Sequence, residues 1–223
     1  MTGLEASEKL LWNDVTDSLG NLQCNWGDHW SFNFRNDPKR LGFVLSRYKF
    51  SAKMICKEMS VLELGCSSGI GAPILAEKAV AYTGIDLDEQ AIRTAKNNFS
   101  EAKFTFDYDD FMGKSYGKFG AVVSLDVIEH ILPEYEDIYF QTIMDNLDVN
   151  GMCIIGTPNI TSAPYASEMS QIGHVNMYSQ ERLAAALKKY FHQVFSFGMN
   201  DEIVHTGYAP MAHYIFCVCC HKK

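Results

Sequence analysis

Apolar and polar positions change their period along the chain, and the change divides it. From about residue 60 onward, short apolar runs alternate with stretches of helical spacing. The runs are SVLEL (60–64), VAYTGID (80–86), AKFTFD (102–107), FGAVVSLD (119–126), GMCIIGTP (151–158), FHQVFSFGM (191–199) and HYIFCVCC (213–220). Their length and their β-branched and aromatic content predict strands. Helices are expected between the early ones, over 70–79, 88–98, 134–147 and 179–190. Such alternation predicts βαβ units, hence an α/β fold with a mostly parallel sheet covered on both faces. A long loop joins the last two strands, so an antiparallel pair is expected there.

Residues 1–57 break this alternation and read as helices. They include the aromatic and basic stretch WGDHWSFNFRNDPKRLGFVLSRYKF, in which Pro38 after Asp37 is a good helix start. The expectation is a helical cap (1–57) over the carboxyl edge of the sheet of an α/β domain (58–223). Trp26, Trp30, Phe32 and Phe34 are expected to form the core of that cap.

Successive strand ends carry polar groups. The first strand runs into ELGCSSGIG, where Glu63 precedes a turn whose Gly65, Gly69 and Gly71 let the backbone approach a ligand closely. The second ends in GIDLD, placing Asp86 where a carboxylate can accept from both hydroxyls of a ribose. The third ends in FDYDDF, bringing Asp107, Asp109 or Asp110 near an adenine amino group. The fourth ends in SLDVIEH, adding Ser124, Leu125, Asp126 and His130. Open α/β sheets bind ligands outside the carboxyl ends of their strands. A glycine loop followed by an acid also suits NAD, the alternative cofactor, but no convincing hydride-transfer site accompanies it.

Composition narrows the partners. The 223 residues suffice for one sizeable domain, and the net charge of -8 speaks against a nucleic-acid partner. No window offers the roughly 20 apolar residues of a membrane span, and the acidic start does not resemble a signal peptide, so a cytoplasmic location is expected. Seven cysteines, an odd number, argue for free thiols. The tail CVCCH could suggest zinc, but adjacent cysteines on a strand face opposite ways, so no metal site is expected.

The series ELGCSSGIG, GIDLD, YDDF and SLDVIEHI resembles the class I S-adenosylmethionine-dependent methyltransferases in order and approximate spacing, over roughly 60–158. The resemblance implies a Rossmann-like, seven-stranded sheet with a reversed last strand. It also implies a cofactor site of Glu63, Gly65, Cys66, Ser67 and Gly69, then Asp86 and Leu87, Asp109 and Asp110, Leu125 and Asp126. The loop would face the methionine moiety, Asp86 the ribose and Asp109 or Asp110 the adenine. Ser67-Ser68 departs from the family, which often has Gly or Asp there; a serine can still donate to the methionine carboxylate.

Methyl transfer from a sulfonium is an in-line displacement that depends mainly on positioning. A hydroxyl acceptor also needs a base, typically histidine, whereas an acceptor already anionic needs a cation. His130, His174, His205 and His213 are the expected catalytic histidines, and His192 and His221 look structural or solvated. His29, Arg47, Tyr48, Asn159 and Tyr178 are expected to bind the acceptor, with Arg40 and Arg47 on one helix face. The segments HWSFNFRNDPKRLGFVLSRYKFSAKM, GTPN, GHVNMYS and MNDEIVHTGYAPMAHY also resemble a methyltransferase subgroup found with bacterial surface-polysaccharide genes. That resemblance implies O-methylation of a capsule phosphoramidate, with a sugar hydroxyl as the second substrate class. The expected partner is a small-molecule acceptor, with monomer or homodimer left open. The rival from another class is a cofactor-binding regulatory protein on the same fold.

Overall fold

The computed structural model describes residues 3–20 and 23–223; residues 1, 2, 21 and 22 of the expected cap lie outside the described residues. Three helices lead: α1 (Gly3–Leu19), α2 (Gly27–Asn36) and α3 (Pro38–Met54). Then follow β1 (Ser60–Leu64), α4 (Ala72–Leu75), β2 (Ala81–Asp86), α5 (Glu89–Asn98), β3 (Phe104–Tyr108) and β4 (Phe119–Leu125). The chain continues through α6 (Glu136–Asn146), β5 (Leu147–Pro158), α7 (Glu168–Gly173), α8 (Gln180–Leu187), β6 (Phe191–Asn200), β7 (Ile203–His205) and β8 (Tyr214–Lys222).

The strands form one sheet in the order β3-β2-β1-β4-β5-β8-β6-β7. Strands β1 to β5 pair in parallel, and β8 runs antiparallel between β5 and β6. This is the expected Rossmann-like sheet with a reversed last strand, enlarged by one element. The addition is β7, a three-residue strand antiparallel to β6 that is too short to show a period in sequence. Strand order reverses at β1, which has β2 on one side and β4 on the other, so a ligand crevice opens beyond Leu64 and Leu125.

Local chemistry sets the elements that frame this crevice. Asp88 starts α5 by accepting from the N–H groups of Gln90 and Ala91, and Pro38 occupies the first turn of α3. The helix expected over 70–79 shortens to Ala72–Leu75: the Ala76 N–H closes the last α-turn on the Ala72 carbonyl, and the Glu77 N–H then takes the Ile74 carbonyl three residues back, at 3.3 Å, in a tighter final turn. Leu41, Val44, Tyr48 and Ser51 recur at helical spacing on the buried face of α3. That face joins Val61, Tyr82, Ile154 and Phe216 in one apolar cluster. The other sheet face packs Leu62, Ile155 and Cys217 against Tyr139 and Phe140 of α6 and Leu183 and Leu187 of α8. Both faces are thereby covered, which a parallel sheet requires.

Two aromatic expectations fail. Trp30 is buried, but Phe32 and Phe34 are exposed, because the buried stripe of α2 passes through Trp30 and Asn33. The cysteines are free, and Cys217 and Cys219 are interior apolar groups of β8. Among the described residues no helix is long and apolar enough to cross a membrane.

Candidate active site

The glycine loop leaves β1 through a tight turn. The Gly65 and Cys66 N–H groups both donate to the Ile85 carbonyl, at 2.8 and 3.1 Å. Gly65 has φ +82°, and a Cβ there would lie 2.3 Å from Cγ2 of Val127, so only glycine fits. Ser67 takes a left-handed conformation (φ 50°), and its N–H donates to Oδ2 of Asp86 at 2.7 Å. Asp86 also accepts from the Asp88 N–H through Oδ1 at 2.9 Å. One carboxylate therefore holds both the loop and the entry to α5 at the mouth of the crevice, beside exposed Leu87. Ser68 Oγ donates to the Trp26 carbonyl at 2.8 Å, tying the loop to the chain before α2. The Cys66 side chain turns inward against Gly84, so only its backbone can face a ligand.

Glu63 is fully buried at the end of β1 and accepts from the Tyr82 hydroxyl, with Tyr48 beside it. Burial pushes its carboxyl up from 4.5 to about 7, against the hydrogen bonds of the two tyrosines. A raised carboxyl keeps its proton in the folded state after the unfolded chain has lost it. Its burial is therefore free of penalty below pH 4.5 and costs progressively more up to about pH 7. The Glu63→Gln variant should gain about 3 kcal/mol on the wild type across that window. Urea unfolding at several pH values reads this directly; parallel stability curves for the two proteins would refute it.

The third strand end is more committed than its sequence suggests. Asp109 pairs with Lys114 and accepts from the Tyr116 hydroxyl at 2.8 Å, and these bonds hold its carboxyl below the usual range. Asp110 Oδ1 accepts from the Met112 N–H at 3.0 Å. Both remain at the carboxyl edge, where Asp109 N–H donates to the Asp86 carbonyl.

The fourth strand end is the electrostatic centre. Leu125 is buried, and Asp126 follows with φ 58°. One guanidinium nitrogen of Arg47 bridges both Asp126 oxygens, each at 2.7 Å. The same guanidinium lies 3.9 Å over the Tyr214 ring. Arg47, expected to clamp an acceptor anion, instead fastens α3 to the end of β4. Tyr48, expected to touch the acceptor, is buried against the glycine loop.

Three histidines gather around this pair. Partial burial lowers the pKa of His29, helped by Arg40 and opposed by Asp126. Burial and His130 lower that of His174, again with Asp126 opposing. Burial and Arg47 lower that of His213, with Asp201 opposing. All three are thus biased toward the neutral form. His213 Nε2 is buried without a hydrogen-bond partner among the described residues. His130 lies edge-on to His174, with ring centroids 5.1 Å apart. A groove beside His174 is lined by Ala163, Pro164, Gln171 and Met177.

Other expected residues are tied wholly or in part to the fold, and Asn159 keeps a buried Oδ1 without a partner among the described residues. His205 Nδ1 accepts from the Gly207 N–H at 3.0 Å, so Nε2 carries the proton that goes to Asn200 Oδ1 at 2.7 Å. With both ring nitrogens occupied, His205 holds the hairpin after β6 and has no lone pair for a base. Asn159 donates to the Ala209 and Ala212 carbonyls at 2.9 and 2.8 Å and so anchors that loop. Tyr178 is fully buried, with its hydroxyl on Glu136 and the Arg182 guanidinium 4.0 Å over its ring. Sequence reasoning passed over Glu129, which the structure buries completely beside Asp126. Its one signal was its position in SLDVIEH, three residues after Asp126.

Comparison with known proteins agrees with this frame. A family model described as "Methyltransferase domain" matches residues 36–190, more than half of the chain. The ubiquinone biosynthesis O-methyltransferase of Thiobacillus denitrificans is 30% identical over 100 residues, covering 43% of this chain and 40% of that protein. The chain spans between 40% and 58% of the length of these curated relatives. The TehB-like SAM-dependent methyltransferase of Corynebacterium glutamicum superposes with a TM-score of 0.66 at 16% identity, covering 87% of this chain and 97% of that one. The N-methyltransferase NodS of Bradyrhizobium japonicum WM9, in complex with S-adenosylhomocysteine, gives 0.62 at 16% identity, covering 92% and 97%. At such identities the two structures establish likeness of fold.

Proposed function

The chain belongs to the methyltransferase domain family, and from that premise we propose that it carries the methyl group of S-adenosylmethionine to an oxygen of a small polar acceptor. The donor rests on the glycine loop, with Asp86 receiving the ribose hydroxyls. S-adenosylhomocysteine bound to the similarly folded NodS supports this donor. Oxygen as the acceptor atom is supported by the O-methyltransferase relatives. The observation that carries the chemistry is His213, whose buried Nε2 is without a partner among the described residues and is kept neutral beside the Arg47–Asp126 pair.

His213 takes the acceptor proton as the oxygen attacks the methyl carbon, once the acceptor displaces the packing that closes over its Nε2. The new O–C bond forms as the C–S bond breaks, and that electron pair returns to sulfur. The sulfonium charge disappears in the step, so the site needs alignment more than charge stabilisation.

A base whose pKa is lowered stays unprotonated to lower pH. The rate should therefore be flat near neutrality and fall on an acid limb below pH 6.5, the ordinary value for His213. His213→Gln should lower kcat about a hundredfold and remove that limb. A product assay by mass spectrometry across pH measures both. An unchanged limb in the variant would sink the assignment.

A second reading has its own observation. Arg40 acts on both His29 and His174 and makes no ion pair among the described residues. It could hold an acceptor that is already an oxyanion, such as the phosphoramidate of a bacterial surface glycan. Such an acceptor needs no base, so Arg40→Ala rather than His213→Gln would abolish turnover. A purely regulatory, cofactor-binding role predicts S-adenosylhomocysteine binding with no methylated product from either acceptor class.

A further inference from the structure

The turn after β4 gathers three metal-binding side chains that the chemistry above leaves unused. Ligand atoms of Glu129, His130 and His174 lie within 4.8 Å of one another. Glu129 is fully buried; its Oε2 accepts from Thr157 Oγ1 at 2.9 Å, and its Oε1 has no partner among the described residues. A buried oxygen without a donor or cation carries an uncompensated desolvation cost. His130 Nδ1 lies 2.8 Å from the Gly173 carbonyl. A carbonyl only accepts, so Nδ1 holds the proton and Nε2 keeps its lone pair. Metal-bound histidines are oriented in this way, with the second ring nitrogen donating to a carbonyl or carboxylate. The next residue is His174, so one loop supplies both the orienting carbonyl and the third donor.

We propose that Glu129, His130 and His174 bind a divalent cation of the zinc class at the acceptor side of the crevice. Two imidazoles and one carboxylate suit such an ion and leave coordination positions open, as in catalytic rather than structural sites. His130 is exposed and His174 half-buried, so both rings can adjust to a shared ion at about 2.0–2.2 Å. What the ion does rests on the methyl-transfer reading: an acceptor hydroxyl bound to it surrenders its proton more readily. An acceptor hydroxyl held there would lose its proton to solvent, and its oxygen would form the O–C bond as the C–S bond breaks and that pair returns to sulfur.

The test is titration of the metal-stripped full chain with Co2+, followed by visible absorption and calorimetry. The expected result is one equivalent bound, with d–d bands and no thiolate charge-transfer band. His130→Gln and His174→Gln should each weaken uptake about tenfold or more while S-adenosylhomocysteine affinity stays at the wild-type value. Both positions reach the surface, and the retained affinity certifies the fold. Absence of saturable uptake, a thiolate band marking the cysteines as ligands, or unchanged uptake in both variants would overturn the proposal. Co2+ uptake without S-adenosylhomocysteine binding would remove the donor reading and keep the metal site. Methyl transfer by a chain that takes up no Co2+ would do the reverse.

Discussion

Replacing Asp86 by Ala should weaken S-adenosylhomocysteine binding about a hundredfold or more. The carboxylate has two tasks at the crevice. It accepts from the Ser67 N–H at 2.7 Å, which holds the left-handed turn of the glycine loop, and from the Asp88 N–H at 2.9 Å, which leads into α5. In the proposed donor site its remaining lone pairs would accept from the ribose hydroxyls, and charge-assisted hydrogen bonds of this kind contribute roughly 1.5–3 kcal/mol each. Removing it loosens the loop and deletes the ribose contact together. Calorimetric titration with S-adenosylhomocysteine measures the loss. Asp86→Asn should fall in between, since its oxygen can still accept from Ser67. Wild-type affinity in Asp86→Ala would remove the cofactor from this crevice.

Replacing Gly71 by Ala should destabilise the fold by about 3 kcal/mol, among the larger costs of a single added methyl. A Cβ at Gly71 would lie 2.0 Å from Cε1 of Tyr48, 2.2 Å from Cδ1 and 2.3 Å from Cζ. The ring cannot retreat, because it is buried in the cluster shared by α3 and the sheet, with Glu63 beside it. The strain should therefore appear as partial detachment of α3, which also carries Arg47 to Asp126. A double-mutant cycle isolates the clash: in a Tyr48→Ala background the same Gly71→Ala change should cost under about 1 kcal/mol. Equal costs in the two backgrounds would show that the ring is not what the methyl meets.

The strand ends were legible in sequence because their signals are local. A turn that needs left-handed φ requires glycine at Gly65 and Gly69, and an acid at the end of β2 follows from the run GIDLD. The alternation of strands and helices was equally legible, since one buried face imposes its period on each element. Strand β7 escaped because three residues carry no period, and α4 was overextended because the helix-favouring residues Ala76, Glu77, Lys78 and Ala79 continue past the last helical turn.

Side-chain availability was not legible. Arg47, His205, Asp109 and Tyr178 all looked free to meet a ligand. Their partners stand far along the chain or across a turn: Asp126, Asn200 with Gly207, Lys114 with Tyr116, and Glu136 with Arg182. Glu129 is the opposite case, an ordinary acid in sequence that becomes a buried group with one unpartnered oxygen.

The sequence by itself determined the α/β alternation, the glycine turn and the acids at the strand ends. Each of these depends on period or on backbone conformation within a few residues. Only the tertiary structure decided which polar groups still have a lone pair or a charge to offer. Hydrogen bonds and ion pairs are used up by partners, and the one that occupies Nη1 of Arg47 stands 79 residues further along the chain. The fold brings that partner within 2.7 Å and leaves His213 and Glu129 with a buried polar atom unpaired among the described residues.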